Sequence, residues 1–303
     1  MKLLKDLCAV HAPSGDEAPM KEFLLSYINK QQKTWKVRPE LIQGPEFQDC
    51  LILAFGNPRT AIFAHMDSIG FTVRYDNQLV PIGGPDADTG TLLVGEDSLG
   101  PIECKLVLNE EGRAFYEFGR AIDRGTGLTY KCNFRQHDDM VTTCYLDNRL
   151  GVYNALKVAE TLEHGVIVFS AWEEHGGGSV QYLTKYLYER WQIKQALVSD
   201  ITWVTDGVHH GKGVAVSMRD KNIPRKSYVD RIIAIAQSSG VPFQLEVEGS
   251  GSSDGRDVQI SPYPIDWCFV GAPESNVHSP NETVHKDDIT AMVSLYEVLM
   301  AEL

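Results

Sequence analysis

The chain of 303 residues is 43% hydrophobic and 23% charged, a globular composition that suits one large domain or one domain with a smaller companion. No apolar run approaches the ~18 residues of a membrane span, and the net charge of −13 comes without the basic stripe of a nucleic-acid binder. The acidity reads as solubility rather than as steering of cationic substrates, and six scattered cysteines with no C-x-x-C pair suit free thiols in a reducing cytoplasm.

The opening "MKLLKDLCAVHAPSGDE" reads as a helix and loop, not as a signal peptide, because Lys5 and Asp6 interrupt its short apolar stretch. A second helix is expected over "SGDEAPMKEFLLSYINKQ": Ser14 and Glu17 have the spacing of a capping box, and Met20, Phe23, Leu24 and Ile28 form one stripe. "DCLILAFG" and "TAIFAHMD" are short apolar runs stopped by turn residues, hence strands. From residue 76 to 138 glycines and turn residues separate short alternating runs, which predicts a β-rich insertion.

Beyond it helices and strands alternate. "NRLGVYNALKVAETLE", "SVQYLTKYLYERW", "YVDRIIAIAQSSG" and "DDITAMVSLYEVLMAEL" have helical periodicity, while "VIVFSAW", "QALVSD" and "IDWCFVG" are strands. The pattern predicts an α/β fold: a mixed, mainly parallel central sheet with helices on both faces, built from residues 1–75 and 139–303 and interrupted by a small β domain at 76–138.

Open α/β sheets place their sites at the carboxyl ends of strands. Five such ends carry a histidine or carboxylate: His65 with Asp67, Asp147, Glu173 with Glu174, Asp200, and His278. A lone strand-end acid is usually a cap and a lone histidine usually a satisfied polar group. All five in a chain with 9 histidines point instead to metal. Adjacent Glu173 and Glu174 repel unless a cation lies between them. Imidazole and carboxylate without thiolate suit zinc, with cobalt or manganese as substitutes. The set exceeds the needs of one catalytic zinc and matches two ions about 3.5–4 Å apart. In the extended H-x-D segment, His65 and Asp67 point the same way, so His65 can bind metal while Asp67 orients it.

In order along the chain, "HMDSIGF", "LDNRLG", "EEHGGG", "VSDIT" and "HSPNE" resemble the motifs of dinuclear-zinc aminopeptidases, most closely the glutamyl and tetrahedral aminopeptidase family. The resemblance covers the whole α/β part. It implies a phosphorylase/hydrolase-like peptidase fold with a β-rich insertion between the first two motifs, and removal of N-terminal residues from peptides by a two-metal activated water. By this resemblance Asp147 bridges the metals, His65 and Asp200 complete one shell, and Glu174 and His278 complete the other. Glu173 is the general base, and the Asp147–Asn148 peptide bond is expected to be cis. The resemblance also implies a homo-oligomer; the insertion is short for tetrahedral members, so an assembly below twelve subunits is expected.

Asp254, in "EGSGSSDGRDVQI", either shapes the substrate pocket, holds the free amino group or caps a helix; His175 either touches substrate or is incidental. His209 and His210 read as surface residues and His11 as structural. Two other functions fit the same residues: an amidase or deacylase of N-acyl amino acids, and a non-catalytic binding or scaffold protein.

Overall fold

The computed structural model describes residues 1–303. Helices α1 (Lys2–Cys8) and α2 (Ala18–Gln31) precede strands β1 (Glu40–Ile42), β2 (Leu51–Phe55) and β3 (Ala61–His65). A run of strands follows: β4 (Gly70–Val73), β5 (Leu79–Ile82), β6 (Leu92–Asp97), β7 (Gly100–Leu108), β8 (Ala114–Glu117), β9 (Gly127–Tyr130), β10 (Arg135–His137) and β11 (Met140–Thr143). The remainder comprises α3 (Leu146–Ala159), β12 (Gly165–Ser170), α4 (Ser179–Trp191), β13 (Gln195–Trp203), β14 (Val214–Arg219), α5 (Lys226–Ser239), β15 (Phe243–Val247), α6 (Asp254–Ile260), β16 (Asp266–Ser275), β17 (Glu282–His285) and α7 (Lys286–Glu302).

Two sheets result. The larger has the order β1-β2-β12-β3-β13-β16-β17-β11-β10, with β14 and β15 branching from β16. Its centre, β12-β3-β13-β16, is parallel, and its flanks are antiparallel. The central strands read as unbroken apolar runs because both faces are covered. On β2, Leu51, Leu53 and Phe55 join the core under α1, α2, α3, α5 and α7, while Ile52 and Ala54 join the core under α4 and α6.

The smaller sheet has the order β5-β4-β9-β6-β7-β8, and a bridge from Gln78 to Phe115 links its two ends. It encloses its own core of Phe71, Leu93, Ile102, Leu106 and Tyr130. Its strands begin at Gly70, upstream of residue 76, and β10 is already back in the large sheet.

The capping box does not form. Glu17 occupies the cap position of α2 without a side-chain cap bond. Its Oε1 instead accepts from the amides of Gly15 at 2.9 Å and Trp172 at 3.2 Å, and the Ser14 hydroxyl donates to Asp67 Oδ2 at 2.6 Å. Both side chains are drawn toward the rim of the large sheet, Ser14 by the acceptor on Asp67 and Glu17 by the Trp172 amide alongside its neighbour Gly15.

Candidate metal centre

The parallel strands set the site. Register pairs Ser170 of β12 with His65, the last residue of β3, so the turn after β12 carries Glu173 and Glu174 past the His65 ring. Asp200 lies inside β13 rather than at its end, because pairing with β16 continues to Trp203. Asp147 does not terminate a strand: β11 stops at Thr143, and Asp147 is an extended residue at the kinked start of α3. The Asp147–Asn148 bond is cis, as the resemblance implies. Tyr145, Trp172 and His278 all have left-handed φ of 65°, 66° and 67°, placing strained non-glycine backbone beside Asp147 and Glu173 and at the ligand candidate His278 itself.

The seven residues singled out at the strand ends converge. His65 Nε2 lies 3.2 Å from Asp147 Oδ1, 3.6 Å from Asp200 Oδ2 and 4.0 Å from Glu173 Oε2. His278 Nε2 lies 3.3 Å from Asp147 Oδ2 and 3.1 Å from Glu174 Oε2. Asp147 therefore turns one oxygen to each imidazole. One ligand atom each of His65, Asp147 and Glu174 fall within 4.8 Å of one another.

A second layer of residues aims these groups. Asp67, fully buried, has Oδ1 3.4 Å from His65 Nδ1 and also accepts from the amides of Glu173 and Glu174, each at 3.2 Å. Arg149 donates to the carbonyl oxygens of Met66 and Asp67, pinning the turn after His65. Glu282 accepts from the amides of Leu146, Asp147 and His278, clamping two ligand-bearing segments together. His278 Nδ1 faces the carbonyl oxygen of Gly84, which leaves Nε2 as the lone-pair nitrogen in the site. Sequence reasoning missed Ser14, Glu17, Gly84 and the role of Glu282; only the Glu in "HSPNE" offered a signal.

The electrostatics call for cations. Burial, then repulsion from Asp147, pushes Asp200 well above the usual carboxylate range and raises Glu174. Burial, then Glu174 and Asp200, drives Glu173 well up against the pull of His65. Burial would raise Asp147, but bonds from His278 and His65 outweigh it and hold this carboxyl low. Glu174 Oε1 is buried without any partner. Four carboxylates, two imidazoles, no thiolate and an orphaned oxygen form a donor set that fits divalent cations.

The remaining candidates lie outside this cluster. Asp254 starts α6, where Ser253 is the capping residue, and its Oδ2 accepts from the Ser170 hydroxyl. Burial raises its pKa to about 6. His175 is exposed and its Nδ1 accepts from the amide of Gly83, tying the glutamate turn to the smaller sheet's edge. His11 bonds Thr129 at 2.9 Å; His209 is exposed, whereas His210 is half-buried against Ser275.

Asp147, Glu173, Glu174, Asp200 and His278 line one cavity of about 370 Å³, within the range of small-ligand sites. An α/β sheet that gathers such a donor set at its rim, open to a cavity, defines a metal-dependent hydrolase. Residues 114–295 match the M42 glutamyl aminopeptidase family. The chain belongs to that family and is a metal-dependent aminopeptidase.

Its sequence is 28% identical, over 97% of the chain and 96% of the relative, to a protein of Acetivibrio thermocellus provisionally named an aminopeptidase. In fold it resembles an aminopeptidase of the archaeon Desulfurococcus kamchatkensis, with a TM-score of 0.86, 21% identity, and coverage of 100% of this chain and 94% of that one. The TET1 peptidase of Pyrococcus horikoshii, described as assembling into a tetrahedron or a large octahedral shell, matches with a TM-score of 0.81 and 20% identity, covering 100% and 99%.

Proposed function

We propose that the protein releases the N-terminal residue of peptides with a water activated by two divalent cations and Glu173 as general base. The observation that carries this reading is the division of Asp147, one oxygen toward His65 and the other toward His278. His65 and Asp200 would hold one ion, Glu174 and His278 the other, with Asp147 between them. Zinc suits these donors, with cobalt or manganese as substitutes; when bound, the ions supply Lewis acidity and lower the pKa of water.

Asp67 keeps the His65 ring turned. Glu173 makes no side-chain hydrogen bond and faces the cavity, so its Oε2 is free to take a proton from the attacking water and return it to the departing amine. Asp254 and His175 are assigned to shaping the walls, through Ser170 and Gly83.

The catalytic unit is read as residues 1–75 and 139–303, with 76–138 as the inserted β unit, whose sheet also takes in β4 upstream of residue 76 while β10 pairs in the large sheet. Exposed Tyr75, Val80, Leu92 and Leu99 in or beside that unit support self-association into a homo-oligomer, and the shortness of the insertion supports fewer than twelve subunits. A light-scattering mass of one chain would overturn that. Six unpaired cysteines support a cytoplasmic location, which fluorescence microscopy of the tagged chain checks.

The test of the base is Glu173→Gln. The variant should keep about two metals per chain and lose about 10³-fold in turnover of aminoacyl-anilides. Full activity would remove Glu173 from its role.

A further inference from the structure

The cavity beside the metal centre has an end that the reaction itself does not use. Strand β15 reads "FQLEV" and continues into Glu248. Side chains alternate across a strand, and aliphatic residues ordinarily face inward. Here the pattern is reversed: Leu245 is 45% and Val247 64% exposed, while Glu246 between them is 3% exposed. A strand that shows its aliphatics to water and buries a carboxylate breaks local consistency, which is expected at functional positions.

The inward side joins other acids. Asp220, Glu246 and Glu248 line the same cavity as Asp147, Glu174 and His278. Glu246 Oε1 accepts from the Thr202 hydroxyl, and no basic side chain pairs with it. Asp220 accepts from the Asn222 amide and side chain, while adjacent Arg219 turns its Nε to the Asp220 carbonyl, 3.0 Å away, not to the carboxylate. Lys221 and Arg256 line an adjoining cavity that shares Glu173 and Ser252 with this one but does not contain Asp220, Glu246 or Glu248. Burial raises Glu246, and Glu248 and Asp220 add to the rise. In the same cavity Glu174 Oε1 is buried and unpartnered. The apolar walls are Ile201, Trp203, Phe269 and Val277. Gly251, at φ +77°, lets its loop lie against the Trp203 ring, which a Cβ would approach to 3.3 Å.

We propose that this end of the cavity receives the side chain of the substrate's N-terminal residue and that it selects lysine or arginine. The cationic head would sit among Asp220, Glu246 and Glu248, with the aliphatic stem along Trp203 and Phe269. A buried carboxylate without a counter-charge is costly, and an entering cation removes that cost. An indole face adds attraction for a cation. A glutamate side chain would instead add one more negative charge to three, a repulsion that discriminates strongly. The inference rests on the aminopeptidase reading of the adjoining centre.

The test is kcat/KM of the metal-loaded protein on lysyl-, arginyl-, leucyl- and glutamyl-anilides. Lysyl and arginyl substrates should exceed leucyl by about 10-fold and glutamyl by about 100-fold or more. Glu246→Gln and Asp220→Asn should each cut the lysyl-to-leucyl ratio by about 10-fold. Glu248→Lys, on a half-buried residue, should move preference toward glutamyl substrates. A leucyl or glutamyl preference in the unaltered protein overturns the proposal. So does an equal loss on every substrate in the variants, which would mark the carboxylates as holders of the α-ammonium group. Calorimetry of metal-loaded Glu173→Gln with L-lysine, L-leucine and L-glutamate gives an independent ranking. If no anilide turns over, the aminopeptidase reading fails, and tighter binding of lysine still supports the pocket while equal binding overturns it.

Discussion

The Nδ1 of His278 stands 3.1 Å from the carbonyl oxygen of Gly84. A backbone group following β5 of the smaller sheet thereby fixes the ring whose Nε2 faces Asp147 and Glu174. The smaller sheet is part of the centre, not an ornament on it.

Asp147→Asn and His278→Ala each remove a group between or beside the two proposed ion positions. Asp147→Asn should take metal content from about two per chain to below one, because a bridging carboxylate serves both ions. His278→Ala should lose one ion and keep the other at His65 and Asp200. Elemental analysis of dialysed protein checks both; Asp147→Asn retaining two ions would remove it as the bridge.

Asp67 acts through others. Its oxygens face His65 Nδ1, the Ser14 hydroxyl and the amides of Glu173 and Glu174. Asparagine would turn an NH₂ toward one of these donors. Metal affinity of Asp67→Asn should fall about 10–100-fold, read by competition with a chelator, and Ser14→Ala should show a smaller fall in the same direction. Unchanged affinity in Asp67→Asn would leave it no orienting role.

Glu17 gives a pH-dependent stability term of known sign. Burial raises its carboxyl to about 7 from an unfolded value of 4.5. The folded state therefore holds its proton more tightly, so the stability contribution is fully present below the unfolded value and is lost as pH rises to about 7. Glu17→Gln keeps the carbonyl oxygen that Gly15 and Trp172 use. Relative to the unaltered chain, metal-free Glu17→Gln should gain about 1–3 kcal/mol between pH 4.5 and 8, measured by urea unfolding. A difference independent of pH would show that Glu17 does not titrate in this window.

Gly83 has φ +67°, and a Cβ there would meet Ile69 at 2.7 Å and the carbonyl oxygen of Glu174 at 3.0 Å. Gly83→Val should destabilise the fold by about 1–3 kcal/mol and displace Gly84 from His278. The measurements are thermal unfolding and metal affinity. A variant with an unaltered melting temperature and affinity would separate this turn from the centre.

Much of the architecture is readable locally. The two-faced apolar runs of β2, β3, β12 and β13 stand out because strands covered on both sides need no polar alternation. The ligand candidates are readable because polar residues that stop such runs are few. The misreadings are equally instructive. Ser14 and Glu17 have capping-box spacing, yet tertiary partners at Asp67 and Trp172 took both side chains. Asp200 looks like a strand end, but β16 pairs with three further residues.

Periodicity and residue type along the polymer were enough for the layered α/β design and for the imidazole and carboxylate groups that meet at its rim. Both are written in neighbours a few positions apart, where backbone geometry and burial act directly. The division of Asp147 between two rings, the Gly84 carbonyl behind His278, and the reversed faces of β15 came only with the folded chain. Each depends on segments far apart in sequence, whose distances are set by packing and sheet register rather than by any local preference.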